Sequence, residues 1–384
     1  MNKFKIVVMI VTVLLVLTLV AEPIQAQDEP PTMPNLSEFT PRVDEDAFPI
    51  GPVVVDGGPS QKVMPISPVM EVVYTKTPKF YFLRDSGANY YQIEVINTDT
   101  LVKVYSFKGA GVCNAAYCYL QPTTKLKTMQ YYAGGEYVWS VRARINGVWE
   151  PAFYPSYAPF IVISSGFTST FDANLTKWDA VHGAWSLKNG SAKTDGITNT
   201  YASMFRRDVF YNYDLTAVMK RKNNTYNTSG VIVGGHPFPT YGSATWENGL
   251  YFQYNNNKNW FLYQYFQGNA TSVASGTSSA IKPYDWNTLR IVVFYKYIDL
   301  WINDTYIGWL NYSGADFGII GVDMFRSNLA KEPLLVDEVR LTSIVYPPMA
   351  EHDPAMQLGL EPVEEVDPNS VLVPTEMGDP TGTR

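Results

Sequence analysis

Gly134-Gly135-Glu136-Tyr137-Val138-Trp139-Ser140-Val141-Arg142-Ala143-Arg144 is the stretch on which the fold turns. Successive side chains of a strand point to opposite faces, so Tyr137, Trp139 and Val141 share one face and Ser140, Arg142 and Arg144 the other. One face is built for a core and the other for water. Upstream, Lys79-Phe80-Tyr81-Phe82 and Tyr90-Tyr91-Gln92-Ile93-Glu94-Val95 read as two strands around a turn at Asp85-Ser86-Gly87. Leu101 to Phe107 reads as another, and Gly147-Val148-Trp149-Glu150 turns the chain toward a last strand ending near Val162.

The same grammar continues downstream. Ser164-Ser165-Gly166 reads as a linker. After it come Gly249-Leu250-Tyr251-Phe252-Gln253-Tyr254, Trp260 to Phe266, Trp286-Asn287-Thr288-Leu289-Arg290-Ile291-Val292-Val293 and Ile298-Asp299-Leu300-Trp301-Ile302-Asn303, alternating or apolar at strand length. No long apolar stripe of period 3.6 occurs after residue 60, so the expectation is an all-β chain. The 27 Tyr and 19 Phe fit half-buried strands, and the frequent Asn, Gly, Ser and Thr fit turns.

Two resemblances follow from these residues. Glu136-Tyr137 with Trp139, Val141-Arg142-Ala143, Asn146-Gly147 and Trp149 is similar to the penultimate strand of fibronectin type III and related immunoglobulin-like modules. That likeness implies a β-sandwich of about 100 residues over 62–163. In such a module Tyr137 and Trp139 are core residues. The second half resembles the concanavalin A-like, or laminin-G-like, jelly roll. The likeness rests on Phe171-Asp172 before Trp178, Trp185 before Asn189-Gly190, Trp286-Asn287 with Leu289-Arg290-Ile291, and Gly318 with Gly321 before Val336-Asp337-Glu338-Val339-Arg340-Leu341. It implies two antiparallel sheets over 164–345 and, in many members of that family, carbohydrate binding.

The ends differ from this body. Lys3 and Lys5 precede an apolar run from Ile6 to Val20, and Ile24-Gln25-Ala26 ends in a small residue. That order reads as a secretory signal peptide over 1–26. The alternative is a retained anchor, although a spanning helix asks for about 20 apolar residues. Residues 27–61 and 346–384 are rich in Pro and acids and read as a disordered spacer and a disordered tail. Residues 27–60 hold seven acids and one base, and 346–384 hold eight and one, leaving 25 bases and 20 acids over 61–345. A mildly positive body with scattered Lys and Arg argues against a nucleic-acid partner. No segment after the leader is apolar enough to span a bilayer. The expected location is therefore secreted or in the cell envelope. In an exported chain Cys113 and Cys118 read as a disulfide closing a small loop, with free thiols as the alternative.

The catalytic search is negative. Jelly-roll glycosidases use paired carboxylates about 5 Å apart, and the Glu-x-Asp-x-x-Glu strand motif is absent. Only His182, His236 and His352 occur, with no nucleophilic triad, phosphate loop or zinc pattern. The expectation is a chain that is not an enzyme. Asp172 and Asp337, near the first and last strands of the second module, could hold a structural calcium; no other cofactor is expected. The alternative is that both cap turns or pair with Arg or Lys.

Aromatic residues carry the functional reading. Apolar side chains on both faces of Tyr251–Tyr254 and Trp260–Tyr265 exceed the needs of one core. Trp246, Tyr251, Tyr263, Tyr265, Trp301 and Trp309 are therefore candidates for a platform on which sugar rings stack, with Gln253 bonding hydroxyls. The leading expectation is a non-catalytic extracellular binding or adhesion protein engaging a polysaccharide or cell-surface polymer. The alternatives are a structural cell-envelope module and a sugar-processing jelly-roll enzyme.

Overall fold

The computed structural model describes residues 40–41, 63–131, 134–150, 157–222, 227–239, 245–312, 314–327, 333–344 and 373–374. None of these lies in a helix. The leader, and all of the spacer and tail apart from the two dipeptides at 40–41 and 373–374, lie outside the described residues. Thr40–Pro41 pairs in parallel with Glu71–Val73, and Val373–Pro374 pairs antiparallel with Thr305–Asn311.

The first module is two sheets around one core. One runs Glu71–Val73, Ala158–Val162, Glu136–Ile145, Ala88–Asn97, Lys103–Gly109; the other runs Pro65–Ser67, Phe80–Leu83, Tyr117–Leu120, Val112–Cys113. The alternation read at 137–141 places Tyr137, Trp139 and Val141 in the core with Phe80, Phe82, Tyr91, Ile93 and Phe160. Trp139 is fully buried, and its indole N–H donates to the Pro68 carbonyl at 2.7 Å. Its polar atom is thus satisfied, as burial requires. Cys113 and Cys118 sit opposite each other in the hairpin and are disulfide-bonded.

The second module is an antiparallel sandwich of jelly-roll type. Its front sheet runs Trp178–His182, Thr200–Arg206, Phe317–Arg326, Ser229–Pro239, Trp246–Tyr254, Asn259–Phe266, Asn269–Thr277. Its back sheet runs Ser186–Lys188, Ser191–Thr194, Leu334–Ser343, Tyr213–Arg221, Trp286–Phe294, Tyr297–Ile302, Thr305–Asn311, with Gly166–Ser169 also paired to Leu334–Ser343. Period two sorts the side chains. Leu250, Phe252 and Tyr254 from the front meet Leu289, Ile291 and Val293 from the back in a shared core. Tyr251 and Gln253 therefore point to the outer face of the front sheet.

The two modules share an interface. The Tyr131 N–H donates to the Arg207 carbonyl at 2.9 Å and the Val209 N–H to the Met129 carbonyl at 3.3 Å. The Tyr131 ring is buried against Phe205 and His236, at centroid distances of 5.5 and 5.3 Å. Phe205 lies on the outer face of the front sheet, since its neighbour Met204 faces the core. The first module thus covers one end of that face.

Candidate functional site

The uncovered part of the front sheet's outer face is assembled row by row. Ser203, Asp323, Gly230, Gln253 and Phe261 are successive cross-strand partners, and Gly321, Ile232, Tyr251 and Tyr263 form the adjacent row. Directly paired residues share a face, so these side chains stand together. Phe261 and Tyr263, two residues apart on one strand, are half-buried; their ring centroids lie 5.9 Å apart with planes 13° from parallel. They form a flat, accessible aromatic step.

Further along the same face, with Asp323 three strands from Phe261, lies a buried polar centre. Gly230 leaves its place in the row without a side chain, so Gln253 reaches over it and donates to the Asp323 carboxylate. A glycine inside a strand marks such close approaches. Both residues are fully buried, and among the described residues Asp323 Oδ1 and Gln253 Oε1 have no hydrogen-bond partner. Burial pushes the Asp323 carboxyl up to about 7, against the opposing pull of Gln253 and Arg221. Three tyrosines ring the centre. Tyr251 and Tyr265 are in contact at 4.3 Å between centroids, and the Tyr265 hydroxyl donates to that of Tyr201 at 3.1 Å. Burial raises all three phenols, which stay protonated at neutral pH.

Trp246 closes the far side. A side chain at either Gly235 or Gly321 would collide with its ring, at 2.3 and 2.5 Å. The two glycines therefore provide the bed on which the indole lies. Its Nε1–H donates to Ser203 Oγ at 2.9 Å, and the Trp246 N–H donates to the Tyr251 hydroxyl at 3.0 Å.

The seven aromatic and amide candidates are thus divided. Trp246, Tyr251 and Gln253 are 0, 1 and 0% exposed, which corrects their expected place on a platform surface: they are buried on the same face beside it. Tyr265 is also buried, and Tyr263 alone of this group is accessible. Trp301 and Trp309 lie elsewhere, on the outer face of the back sheet. There Trp301 stacks under Arg290, 4.7 Å from its ring centroid, and Arg290 forms a two-pronged pair with Asp214 at 2.9 and 2.7 Å. The whole core separates them from Tyr263, so one ligand ring cannot touch both groups. Phe261, Tyr201 and Asp323 are the residues the sequence reading passed over. Asp323 carried a signal: it is the one charged residue within Ile319-Ile320-Gly321-Val322-Asp323-Met324-Phe325.

Asp172 and Asp337 are both exposed and both approach the turn at Asn189-Gly190-Ser191. Thr170 Oγ1 donates to Asp172 at 2.6 Å, and Ser191 Oγ donates to Asp337 at 3.2 Å. Among the described residues, no three His, Cys, Asp or Glu side chains gather as a metal site.

Comparison with known proteins adds the following. Residues 166–315 match a family described as a 3-keto-alpha-glucoside-1,2-lyase-like domain. That match corrects the expectation of a chain that is not an enzyme, because the matching family is named for a lyase. No curated protein matches the chain. Similar solved structures include a carbohydrate-binding module from Bacillus subtilis, at 12% identity, covering 44% of this chain and 96% of that one with a TM-score of 0.36. A protein of unknown function with a galectin-like fold, also from Bacillus subtilis, gives 11% identity over 48% and 98%, with a TM-score of 0.39. A prokaryotic beta-1,3-1,4-glucanase derived from a mouse hindgut metagenome gives 14% identity over 47% and 100%, with a TM-score of 0.38.

Proposed function

We propose that this is an exported two-module protein whose jelly roll engages carbohydrate on the outer face of its front sheet. The observation that carries the reading is the Phe261–Tyr263 step, two near-parallel and accessible rings on a rigid strand. Sugar rings present apolar C–H faces, and such faces stack on flat aromatic surfaces. The exposed strand Asn269–Thr277 beside the step adds hydroxyls: Ser275 is paired with Phe261 and Ser272 with Tyr263. The match over 166–315 to a domain family named for a glucoside lyase supports a glucoside as the sugar class. Export rests on the leader-like first 26 residues, and the disulfide suits an oxidising compartment. The strand order of the first module, with Glu136–Ile145 between Ala88–Asn97 and Ala158–Val162, supports the fibronectin type III or immunoglobulin-like assignment and a spacer role for that module.

The test is retention of the purified chain on neutral α- and β-glucans, with Phe261→Ala and Tyr263→Ala compared alongside. Loss of one stacking partner is expected to weaken retention by about tenfold, roughly 1.4 kcal/mol. Equal retention of both variants and the parent overturns the platform.

A second reading is that the site also transforms the sugar, and Asp323 favours it. A carboxyl pushed up to about 7, on the face that carries the aromatic step and with one oxygen lacking a partner among the described residues, is a group suited to exchange a proton near neutral pH. Incubation with a 3-keto-α-glucoside distinguishes the readings. Turnover lost in Asp323→Asn with binding retained supports catalysis; turnover unchanged in that variant removes Asp323 from it.

A further inference from the structure

The first module carries a cleft of about 860 Å³ that the jelly-roll site does not involve. Among the described residues, Lys76, Lys103, Lys125 and Lys127 line it, against a single lining acid, Asp99. We infer that this cleft is a second binding site, specific for an acidic polysaccharide whose carboxylates meet the lysines while its ring faces lie on the apolar rim.

The lysines are held together by the fold. The Leu126 N–H donates to the Lys76 carbonyl at 2.7 Å, while the buried Leu126 side chain anchors the segment in the core. The Tyr137 hydroxyl accepts from the Lys127 N–H and donates to the Lys127 carbonyl, both at 3.0 Å. Lys76, Lys125 and Lys127 thus spring from a fixed backbone, and all three side chains are exposed. Lys103 is already engaged, with Glu94. Asp99 is also occupied, since its Oδ2 accepts the Gly134 N–H at 2.6 Å.

The cleft is also lined by apolar and polar residues. Val102 and Val104 line it at 59 and 37% exposure, and Asn97 fixes Thr100 in a turn by accepting from its N–H at 3.0 Å and its hydroxyl at 2.9 Å. Lysines crowded in a cleft focus a positive potential that draws in anions. Point-like ammonium groups on flexible stems suit carboxylates spaced along a chain better than they suit one fixed bidentate anion. Apolar side chains lining the same cleft as those cations fit a polymer with both ring faces and charges, which inorganic phosphate lacks.

The test uses the full chain and polygalacturonate as probe, read by affinity electrophoresis at low and at 0.5 M salt, with a neutral glucan, inorganic phosphate and anionic phosphatidylserine vesicles as comparators. Binding to polygalacturonate that falls at least tenfold in Lys76→Gln/Lys125→Gln/Lys127→Gln and weakens with salt is the expected result. Phe261→Ala and Tyr263→Ala leave this binding unchanged, so its failure and the failure of the jelly-roll site are read separately. A far-ultraviolet circular dichroism spectrum and melting curve matching the parent show that the triple variant is folded; the single Lys125→Gln variant, expected to lose about threefold, serves if it is not. No binding of polygalacturonate, equal binding by the folded variants, or tighter binding to the vesicles than to the polysaccharide overturns the assignment.

Discussion

At the residue scale, Asp323 is the point where packing and protonation meet. It shares a row with Gln253 only because Gly230 leaves the intervening strand bare. In the unfolded chain its carboxyl ionises near 3.8, and in the fold near 7. Between those values the folded state keeps a proton that the unfolded state has released. The contribution of this group to stability is therefore full below about pH 4 and declines as pH rises toward 7. The Asn side chain of Asp323→Asn does not titrate, so the variant is expected to lose that decline. Urea midpoints for the parent and the variant at pH 4.5 and 7.5 measure it. A parent whose midpoint changes no more than the variant's would place the charged form in the fold. The sequence pointed to this face through its aromatics but not to its centre. An isolated acid in an apolar strand has no partner within a few residues; its partners come from strands separated by 70 residues in the case of Gln253 and 120 in the case of Ser203.

At the element scale, the hairpin closed by Cys113 and Cys118 is local and testable. The bridge spans a sequence separation of five, and a ring that small restricts the unfolded chain by about 2 kcal/mol on the loop-entropy relation. Cys113→Ser/Cys118→Ser is expected to lower the free energy of the chain's cooperative unfolding by about that amount and to leave retention on glucans unchanged. Urea unfolding of the parent and the variant reads the loss; equal unfolding free energies would contradict it. Strands were legible for a related reason. Period two is written into Tyr137, Trp139 and Val141, and into Leu250, Phe252 and Tyr254, and each set lies in its core. What alternation does not encode is which outer face is covered. Tyr251 and Gln253 occupy solvent-side positions by period, yet the Trp246 ring and the neighbouring tyrosines bury them. Trp301 and Trp309 follow the same period on the other sheet, so a reading strand by strand could not separate the two faces.

At the scale of the whole molecule, the two sandwiches are joined through Tyr131. Its backbone continues the pairing between Gln130 and Asp208, and its ring is buried between Phe205 and His236. Tyr74 adds a hydroxyl bond to the Tyr211 carbonyl at 3.3 Å. These contacts fix where the first module ends on the front sheet, and hence how much of that face stays open beside it. They also tie the modules energetically, because neither can unfold without exposing the other's aromatic surface. Tyr131→Ala removes the ring but leaves the backbone bonds. Deleting a buried aromatic of this size costs about 3–5 kcal/mol in a core, and here the loss falls on the coupling between modules. The parent is expected to unfold in one calorimetric transition and Tyr131→Ala in two, with the lower-melting step losing the hydrogen-exchange protection of only one module. The glucan retention of Tyr131→Ala serves as the second readout. A platform whose reach is set by this interface binds longer glucans more tightly once the wedge is gone, whereas unchanged chain-length preference with a single transition would show that Tyr131 neither couples the modules nor bounds the site.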